Sequence, residues 1–387
     1  MTEETFYGYE RPDGSVGIRN HVAIIPSVAC ANGVVAAIAR AVPECVPLYH
    51  GHGCGRSVES AMHGRVLTNL GKHPNVAAVL VVGLGCEVIK AEPLAAAIGA
   101  SGKPVAWFNI QDVGGTRKAT ERGVETVRQM VEGTRGMERR LFPLDRVVLG
   151  LECGGSDAFS GVTANPAVGL ATDWLVDRGG TAILTEDTEM IGTSHILERR
   201  ACNPETAEKV AAMIADAEKL TRDLLGPMAA YVIAPGNMDG GMSSIREKSL
   251  GCIAKAGSRP IGEVLGYGET PTVKGLALMD GPGYDTESMT GLAAAGSHLM
   301  VFTTGRGNPI GYPIVPVIKV ASTSSLYEKM TDDMDIDAGV ILAGTSLEEV
   351  AGQIVTQIRQ VLNGEPTKAE RNRQDGIVCL YTLNPAF

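Results

Sequence analysis

The sequence predicts an α/β protein of two doubly wound halves, each a mostly parallel sheet with helices on both faces, and three observations carry that prediction. Short Val/Ile/Leu runs recur along the chain and alternate with segments of helical period, the rhythm of βα units. Those runs are apolar throughout rather than alternating, as strands covered on both faces require. Forty-eight glycines and only 4% aromatic residues in 387 fit tight connections between closely packed layers.

Runs at residues 21–27, 46–50, 76–84 and 104–110 are read as strands, followed by helix-like segments at 32–42, 57–70, 90–100 and 116–131. These four βα units make one parallel sheet. The polar stretch 132–140 and Pro143 mark a boundary, dividing the chain into an N-terminal domain (1–142) and a C-terminal domain (143–387). The second series opens with a strand at 146–152, a helix at 167–178 and a strand at 181–185. Residues 204–225 set Glu and Lys around an Ala/Leu/Met stripe and predict a long amphipathic helix. A glycine-rich turn at 234–241 precedes a helix at 243–256. The rhythm resumes with a strand at 275–280, a helix at 287–295, strands at 298–304 and 315–320, and a final helix at 346–362. Residues 364–375 are polar enough to be read as a mobile tail segment.

Charge narrows the partners. Thirty-four basic against 44 acidic residues give a net charge of −10, with no basic block of the kind that tracks phosphates, so nucleic acid is not expected. A small anion remains compatible with local clusters of bases. No apolar run approaches a membrane span, and the acidic start lacks the features of a signal peptide, which predicts a cytoplasmic protein. In that compartment eight cysteines are core residues, metal ligands or catalytic groups rather than a disulfide framework.

In open parallel sheets ligands bind beyond the carboxyl ends of strands. Cys54, Cys86 and Cys153 each lie just past such a run, among glycines. One reading makes them converge on iron, as three ligands of a [4Fe–4S] cluster with an open iron or as soft ligands of a single metal. The other makes each a small side chain at a crowded strand end. They are too far apart in sequence for a compact zinc or ferredoxin motif. Cys30, Cys45, Cys202, Cys252 and Cys379 lack the strand-end context and are read as core or surface residues. His50 and His52 flank Gly51 and offer a base, a ligand, an anion contact or a plain surface pair. Glu152, Asp157, Glu186 and Asp187 also fall at strand ends, suited to proton transfer, a hard metal or a loop cap. FTTGRG at 302–307 supplies Thr303, Thr304 and Arg306 for a carboxylate or polyol, and Arg19 is an anion anchor or a structural donor. No phosphate-binding GxxxxGK[ST] loop and no GxGxxG after a first strand are present, which disfavours ATP and NAD.

Taken in order, these segments resemble the altronate/galactarate dehydratase family. The resemblance rests on GYERPDG (8–14), GIRN (17–20), HGHGCG (50–55), HPN (73–75), LGCE (84–87), GGTRK (114–118), LECGGSD (151–157), SGVTANP (160–166) and FTTGRG (302–307), and spans nearly the whole chain. It implies a lyase that removes water from a hydroxylated sugar acid to give a 2-keto-3-deoxy acid, with divalent iron as its metal. It also implies that His50, rather than His52, holds the family's histidine position and that Cys54, Cys86 and Cys153 hold its cysteine positions. Single-chain members carry a small N-terminal domain ahead of this region, so a separate small subunit is expected here, within an oligomer. The C-terminal residues 377–387 depart from the family pattern. Two-subunit relatives include sulfolactate sulfo-lyase, which makes a sulfite-eliminating large subunit the alternative, with a non-catalytic binding subunit ranked below it.

Elimination beside a carboxylate needs a base for a weakly acidic α-proton, stabilisation of the developing enediolate and assistance to a poor leaving group. The expected division of labour gives iron to Cys54, Cys86 and Cys153 and proton transfer to His50, Asp157 or Glu186. Arg19, Arg117, Ser156, Thr303, Thr304 and Arg306 are expected to orient the hydroxy acid.

Overall fold

The computed structural model describes residues 4–231 and 233–385. The chain opens with β1 (Thr5–Glu10) and β2 (Val16–Gly17) and then builds a four-stranded parallel sheet from β3 (His21–Pro26), β4 (Cys45–Pro47), β5 (Val76–Gly83) and β6 (Val105–Asn109), in the order β4-β3-β5-β6. β7 (Arg140–Pro143) returns to pair antiparallel with β1, closing a small sheet β2-β1-β7 that the apolar-run pattern missed. The second half is a seven-stranded sheet, parallel at every pairing. It comprises β8 (Val148–Cys153), β9 (Thr181–Leu184), β10 (Ile261–Leu265), β11 (Gly275–Met279), β12 (Leu299–Thr304), β13 (Val317–Ala321) and β14 (Ile336–Asp337), in the order β10-β11-β9-β8-β12-β13-β14.

The α/β class follows from how these strands bury. All eight residues of β5 are buried, and successive side chains feed opposite cores. Val79 and Val81 join the helices Ser60–Lys72 and Ala91–Gly99, whereas Ala78, Leu80 and Val82 join Asn32–Ala41 and Thr116–Arg135. The last two helices approach closely because position 123 is glycine, where a Cβ would stand 2.2 Å from Ile38 Cδ1. In the larger sheet, helices Ala164–Val176, Pro204–Leu225 and Leu347–Leu362 cover one face and Asp285–Ala294 packs on the other. The Leu347–Leu362 helix starts at a capping box between Ser346 and Glu349 and buries Val350, Ile354, Ile358 and Val361 as one stripe. The apolar layer between Ser60–Lys72 and Asp285–Ala294 belongs to both halves, so they share one continuous core.

A polar seam also joins the halves. His73 Nδ1 accepts from the Asn75 amide at 3.0 Å and His73 Nε2 donates to the Ser297 carbonyl at 3.0 Å. Asn75 Nδ2 donates to the carbonyls of His298 and Ile314, and His298 bridges the Val148 amide and the Val16 carbonyl. These partners fix both imidazoles as neutral Nε2–H tautomers. Burial pushes the His298 pKa from 6.5 down to about 4 and that of His73 well below its ordinary value. An unfolded histidine gains a proton below about pH 6.5 that the folded seam refuses, so stability falls as pH drops from 6.5 toward 4. For His298 alone the full shift amounts to about 3 kcal/mol. Urea unfolding at pH 7.5 and pH 5 is expected to show the part of this loss that falls above pH 5, about 2 kcal/mol for His298, reduced in His298→Asn; an equal loss in that variant would contradict the assignment.

Residues 364–375 are not a mobile tail segment. Thr367 and Glu370 form a capping box on the turn Lys368–Arg371, Glu370 receives Arg19, and Lys368 Nζ donates to the Thr331 carbonyl at 2.6 Å. The chain then crosses back to the first half, where Val378 N donates to the Tyr49 carbonyl and Glu59 Oε1 accepts from Leu383 N and Asn384 N. No helix among the described residues is long and apolar enough to cross a membrane.

Candidate functional site

The seven-stranded sheet has its topological switch at β8. The chain leaves β8 toward β9 on one side and later returns to β12 on the other, so the connections after these two strands diverge and leave a crevice at their carboxyl ends. The loops there are stitched to one another: Gly154 N donates to the Thr303 carbonyl at 3.1 Å, and Gly305 N and Arg306 N both donate to the Gly155 carbonyl, at 3.0 and 2.7 Å. Position 154 must be glycine, since a Cβ would lie 2.1 Å from Asp285 Oδ2.

Behind these loops is an enclosed set of charged groups and thiols. Cys153 ends β8 at 1% exposure, with Sγ 3.5 Å from Cys252 Sγ and 2.8 Å from Glu189 Oε2. Glu186, just past β9, has φ +71°, in the left-handed region that side chains seldom occupy. Its Oε2 accepts from the Cys153 amide at 3.1 Å, and its Oε1 has no hydrogen-bond partner among the described residues. Glu152 accepts from Ser288 Oγ at 2.7 Å with Oε1 and leaves Oε2 unpartnered. Lys255 Nζ lies 3.5 Å from Glu186 and 4.0 Å from Glu189, which also pairs with Lys248.

Burial sets the proton affinities, modified by the neighbours. It drives Glu186 and Glu152 well above the usual carboxyl range, helped by the Glu152 and Glu189 charges in the first case and by Asp285 in the second. Burial also opposes ionisation of Glu189, but the Lys248 and Lys255 ammoniums outweigh it and hold that carboxyl down to about 2. The hydrogen bond to Cys252 and burial raise the Cys153 thiol well above its ordinary value.

Several residues singled out in the sequence do other work. All five guanidinium N–H groups of Arg19 are committed, two to Glu370 at 2.8 and 2.9 Å and three to the carbonyls of Ile18, Val361 and Glu365. Arg19 is therefore a structural clamp and not a substrate anchor. Arg19→Lys, which cannot reproduce that fork, is expected to cost about 1–3 kcal/mol in stability with KM unchanged; a raised KM at unaltered stability would restore the anchor. His50 donates from Nε2 to the Pro26 carbonyl at 2.6 Å and accepts at Nδ1 from the His52 amide, so it orders its loop and has no free nitrogen for a substrate proton. Thr303 Oγ1 donates to Asn165 Oδ1 and Thr304 Oγ1 accepts from the Gly307 amide, and both residues are fully buried, so neither side chain is exposed to a substrate in this conformation. Asp157 Oδ1 accepts from Ser160 N and Oγ, capping the turn beyond Cys153, and Ser156 Oγ lies 3.7 Å from the Cys153 sulfur. Arg306 is exposed on the loop that meets Gly155, and Arg117 is exposed on the first turn of Thr116–Arg135 in the other half.

The three cysteines of the resemblance do not form one group. Cys54 and Cys86 are exposed on loops of the four-stranded half, Cys54 in a narrow crevice with Arg56 and His63 and Cys86 beside Gln111. Of these three cysteines, Cys153 alone joins a set of three donor side chains among the described residues, with Glu189 and Cys252 and with all donor atoms within 4.8 Å of one another. Two thiols and a carboxylate, fully enclosed and flanked by two lysines, fit a borderline metal such as iron. Cys252, read from sequence as a core or surface residue, thus belongs to the site. Its signal was the spacing Lys248, Cys252, Lys255, which sets all three on one face of a single helical segment. Glu189 lies one turn beyond Glu186, and Lys319 hides inside an apolar strand.

Comparison with known proteins identifies the family. Residues 8–135 match the model for "D-galactarate dehydratase/Altronate hydrolase, second domain" and residues 144–384 match "D-galactarate/Altronate dehydratase, C-terminal". Altronate dehydratase of Bacillus subtilis is 36% identical over 381 residues, covering 95% of this chain and 76% of the relative. Altronate dehydratase of Escherichia coli is 35% identical, covering 94% and 75%. The (2R)-sulfolactate sulfo-lyase subunit beta of Chromohalobacter salexigens is 34% identical, covering 95% and 94%. The chain belongs to the D-galactarate/altronate dehydratase family and is, like these relatives, an enzyme of the lyase class.

Proposed function

We propose that the chain eliminates water from a hydroxylated sugar acid of the altronate or galactarate type, giving a 2-keto-3-deoxy acid, at the carboxyl ends of β8, β9 and β12. The observation that carries the reading is Glu186: a carboxylate buried to 1% exposure, held in a strained backbone conformation, with Oε2 3.5 Å from Lys255 and Oε1 without a hydrogen-bond partner among the described residues. Ionised, such a group is a strong base toward the proton alpha to the substrate carboxylate; once protonated, it returns that proton from Oε1 to the departing hydroxyl, so that water leaves. Lys248 and Lys255 supply the fixed positive field that favours negative charge developing on the enediolate. Arg306, exposed on the loop docked against Gly155, is placed to hold the acid. Cys153, Cys252 and Glu189 would hold iron, which when bound acts as a Lewis acid.

A second reading keeps the elimination and changes the leaving group to sulfite. It is supported by the similarity to the (2R)-sulfolactate sulfo-lyase subunit beta, 34% identical over 370 residues. The word "subunit" in that relative's name supports a partner chain here as well. The test is anaerobic purification with a candidate small subunit coexpressed, followed by incubation with altronate, galactarate and sulfolactate. Formation of a 2-keto-3-deoxy acid is expected; sulfite from sulfolactate alone would replace the first reading by the second.

A further inference from the structure

We infer that the chain holds a second, non-catalytic site for a small hydroxylated dicarboxylic acid in the cavity between its two halves, with Lys72 and Arg146 as the carboxylate anchors. The cavity has a volume of about 460 Å3, within the roughly 300–1,000 Å3 of small-molecule sites, and lies where two halves meet, a place in which such sites concentrate. Its walls come from both sides. Lys72 ends the helix Ser60–Lys72 of the first half, while Arg146, Thr181 and Lys274 stand at or just before the starts of β8, β9 and β11. The cavity therefore lies at the amino-terminal edge of the seven-stranded sheet, opposite the crevice at the carboxyl ends of β8 and β9, so the two places can be filled together.

Charge selects the class of ligand. The whole chain carries −10, yet this wall carries three cations, Lys72, Arg146 and Lys274, against two acids, Asp13 and Asp145. Both acids are occupied: Asp145 Oδ2 accepts from Lys274 Nζ, and Asp13 Oδ1 accepts from the amide and the hydroxyl of Ser15 at 2.9 and 2.6 Å. Lys72 and Arg146 are not. Among the described residues neither side chain makes a hydrogen bond, and the ion pair of Arg146 runs from Nε to Asp145 Oδ1 at 3.9 Å, beyond hydrogen-bond reach. The carboxyl end of the helix Ser60–Lys72, which would repel an anion, is covered by Lys103, whose Nζ donates to the carbonyls of Lys72 and His73.

One uncommitted cation on each wall suits a carboxylate at each end of the ligand, each held by a charge-assisted hydrogen bond. Thr181, 5% exposed and with no hydrogen bond from its hydroxyl among the described residues, offers a partner for hydroxyls in between. Galactarate has this form, a carboxylate at either end of a hydroxylated chain. The choice of a sugar acid rests on the proposed function, whereas the site rests on the cavity and its two cations. A ligand bridging Lys72 and Arg146 binds only the folded chain, in which the halves are docked, and so raises its thermal stability.

The test is equilibrium dialysis of labelled galactarate against the full chain carrying Glu186→Gln, which binds without turnover, with and without Lys72→Met and Arg146→Met. The double substitution is expected to remove one bound galactarate per chain and its thermal stabilisation, and each single substitution to weaken that binding at least tenfold. In the chain with Glu186 intact, the same substitutions are expected to leave kcat/KM unchanged. Stoichiometry and affinity that the double and single variants all retain overturn the inference. So does a kcat/KM lowered in proportion to the lost binding, which would put Lys72 and Arg146 at the catalytic centre. Loss of one galactarate from a chain that dehydrates no sugar acid leaves the cavity site standing and removes the proposed function; an active dehydratase whose variants bind as before removes only the cavity site.

Discussion

Glu186→Gln is expected to lower kcat by about 10²- to 10⁴-fold, the usual contribution of a positioned acid–base group, with fold and iron content retained. Gln keeps the shape of the side chain and its acceptor for the Cys153 amide but removes the transferable proton. Some stability is expected to be lost, because the neutral amide leaves the buried Lys255 ammonium with Glu189 as its remaining carboxylate. The same substitution at the turn-capping Asp157, Asp157→Asn, should reduce activity far less, since that carboxylate serves Ser160. Steady-state kinetics of the two variants, with circular dichroism as a fold control, separates the roles. A Glu186→Gln enzyme within about threefold of the unmodified one would remove Glu186 from the chemistry.

The second large effect concerns metal. Cys252→Ser and Cys153→Ser are expected to purify anaerobically with iron at background level, whereas Cys54→Ser and Cys86→Ser retain it. The buried pair stands 3.5 Å apart with Glu189 alongside, close to the spacing of two thiolates on one metal, about 3.8 Å for tetrahedral bonds of 2.3 Å. Cys54 and Cys86 are exposed and belong to no such set among the described residues. Iron lost in Cys54→Ser and Cys86→Ser but kept in Cys252→Ser would return the ligands to the three-cysteine arrangement that the resemblance implies.

Much of this architecture is legible from residue order because strands buried on both faces have to be apolar throughout. β5 and β12 announce themselves in that way, and the strand-end rule then singles out Cys153 and Glu186 without any structure. The antiparallel β2-β1-β7 sheet was invisible for the opposite reason: β1 and β7 are short and mostly uncovered, so no continuous apolar run marks them. Arg19, Thr303 and Thr304 looked like ligand contacts because their residue types are right. Only tertiary structure shows that Glu370 holds Arg19 and that Thr303 and Thr304 are buried against Asn165 and Gly307. Lys319 and Asp285 were missed because their company comes from neighbouring strands and from the Asp285–Ala294 helix, which adjacency in sequence does not record. His73 and Asn75 carried part of the family resemblance, and the structure gives that short motif a physical role as a bolt between the halves.

The location of the metal decides most directly whether the crevice at β8 and β12 is the working centre. Diffraction data from anaerobically grown crystals, collected on both sides of the iron absorption edge, should give an anomalous peak enclosed by Cys153, Cys252 and Glu189. An iron peak beside Cys54 and Cys86, with none at Cys153 and Cys252, would contradict the account and move the chemistry to the four-stranded half.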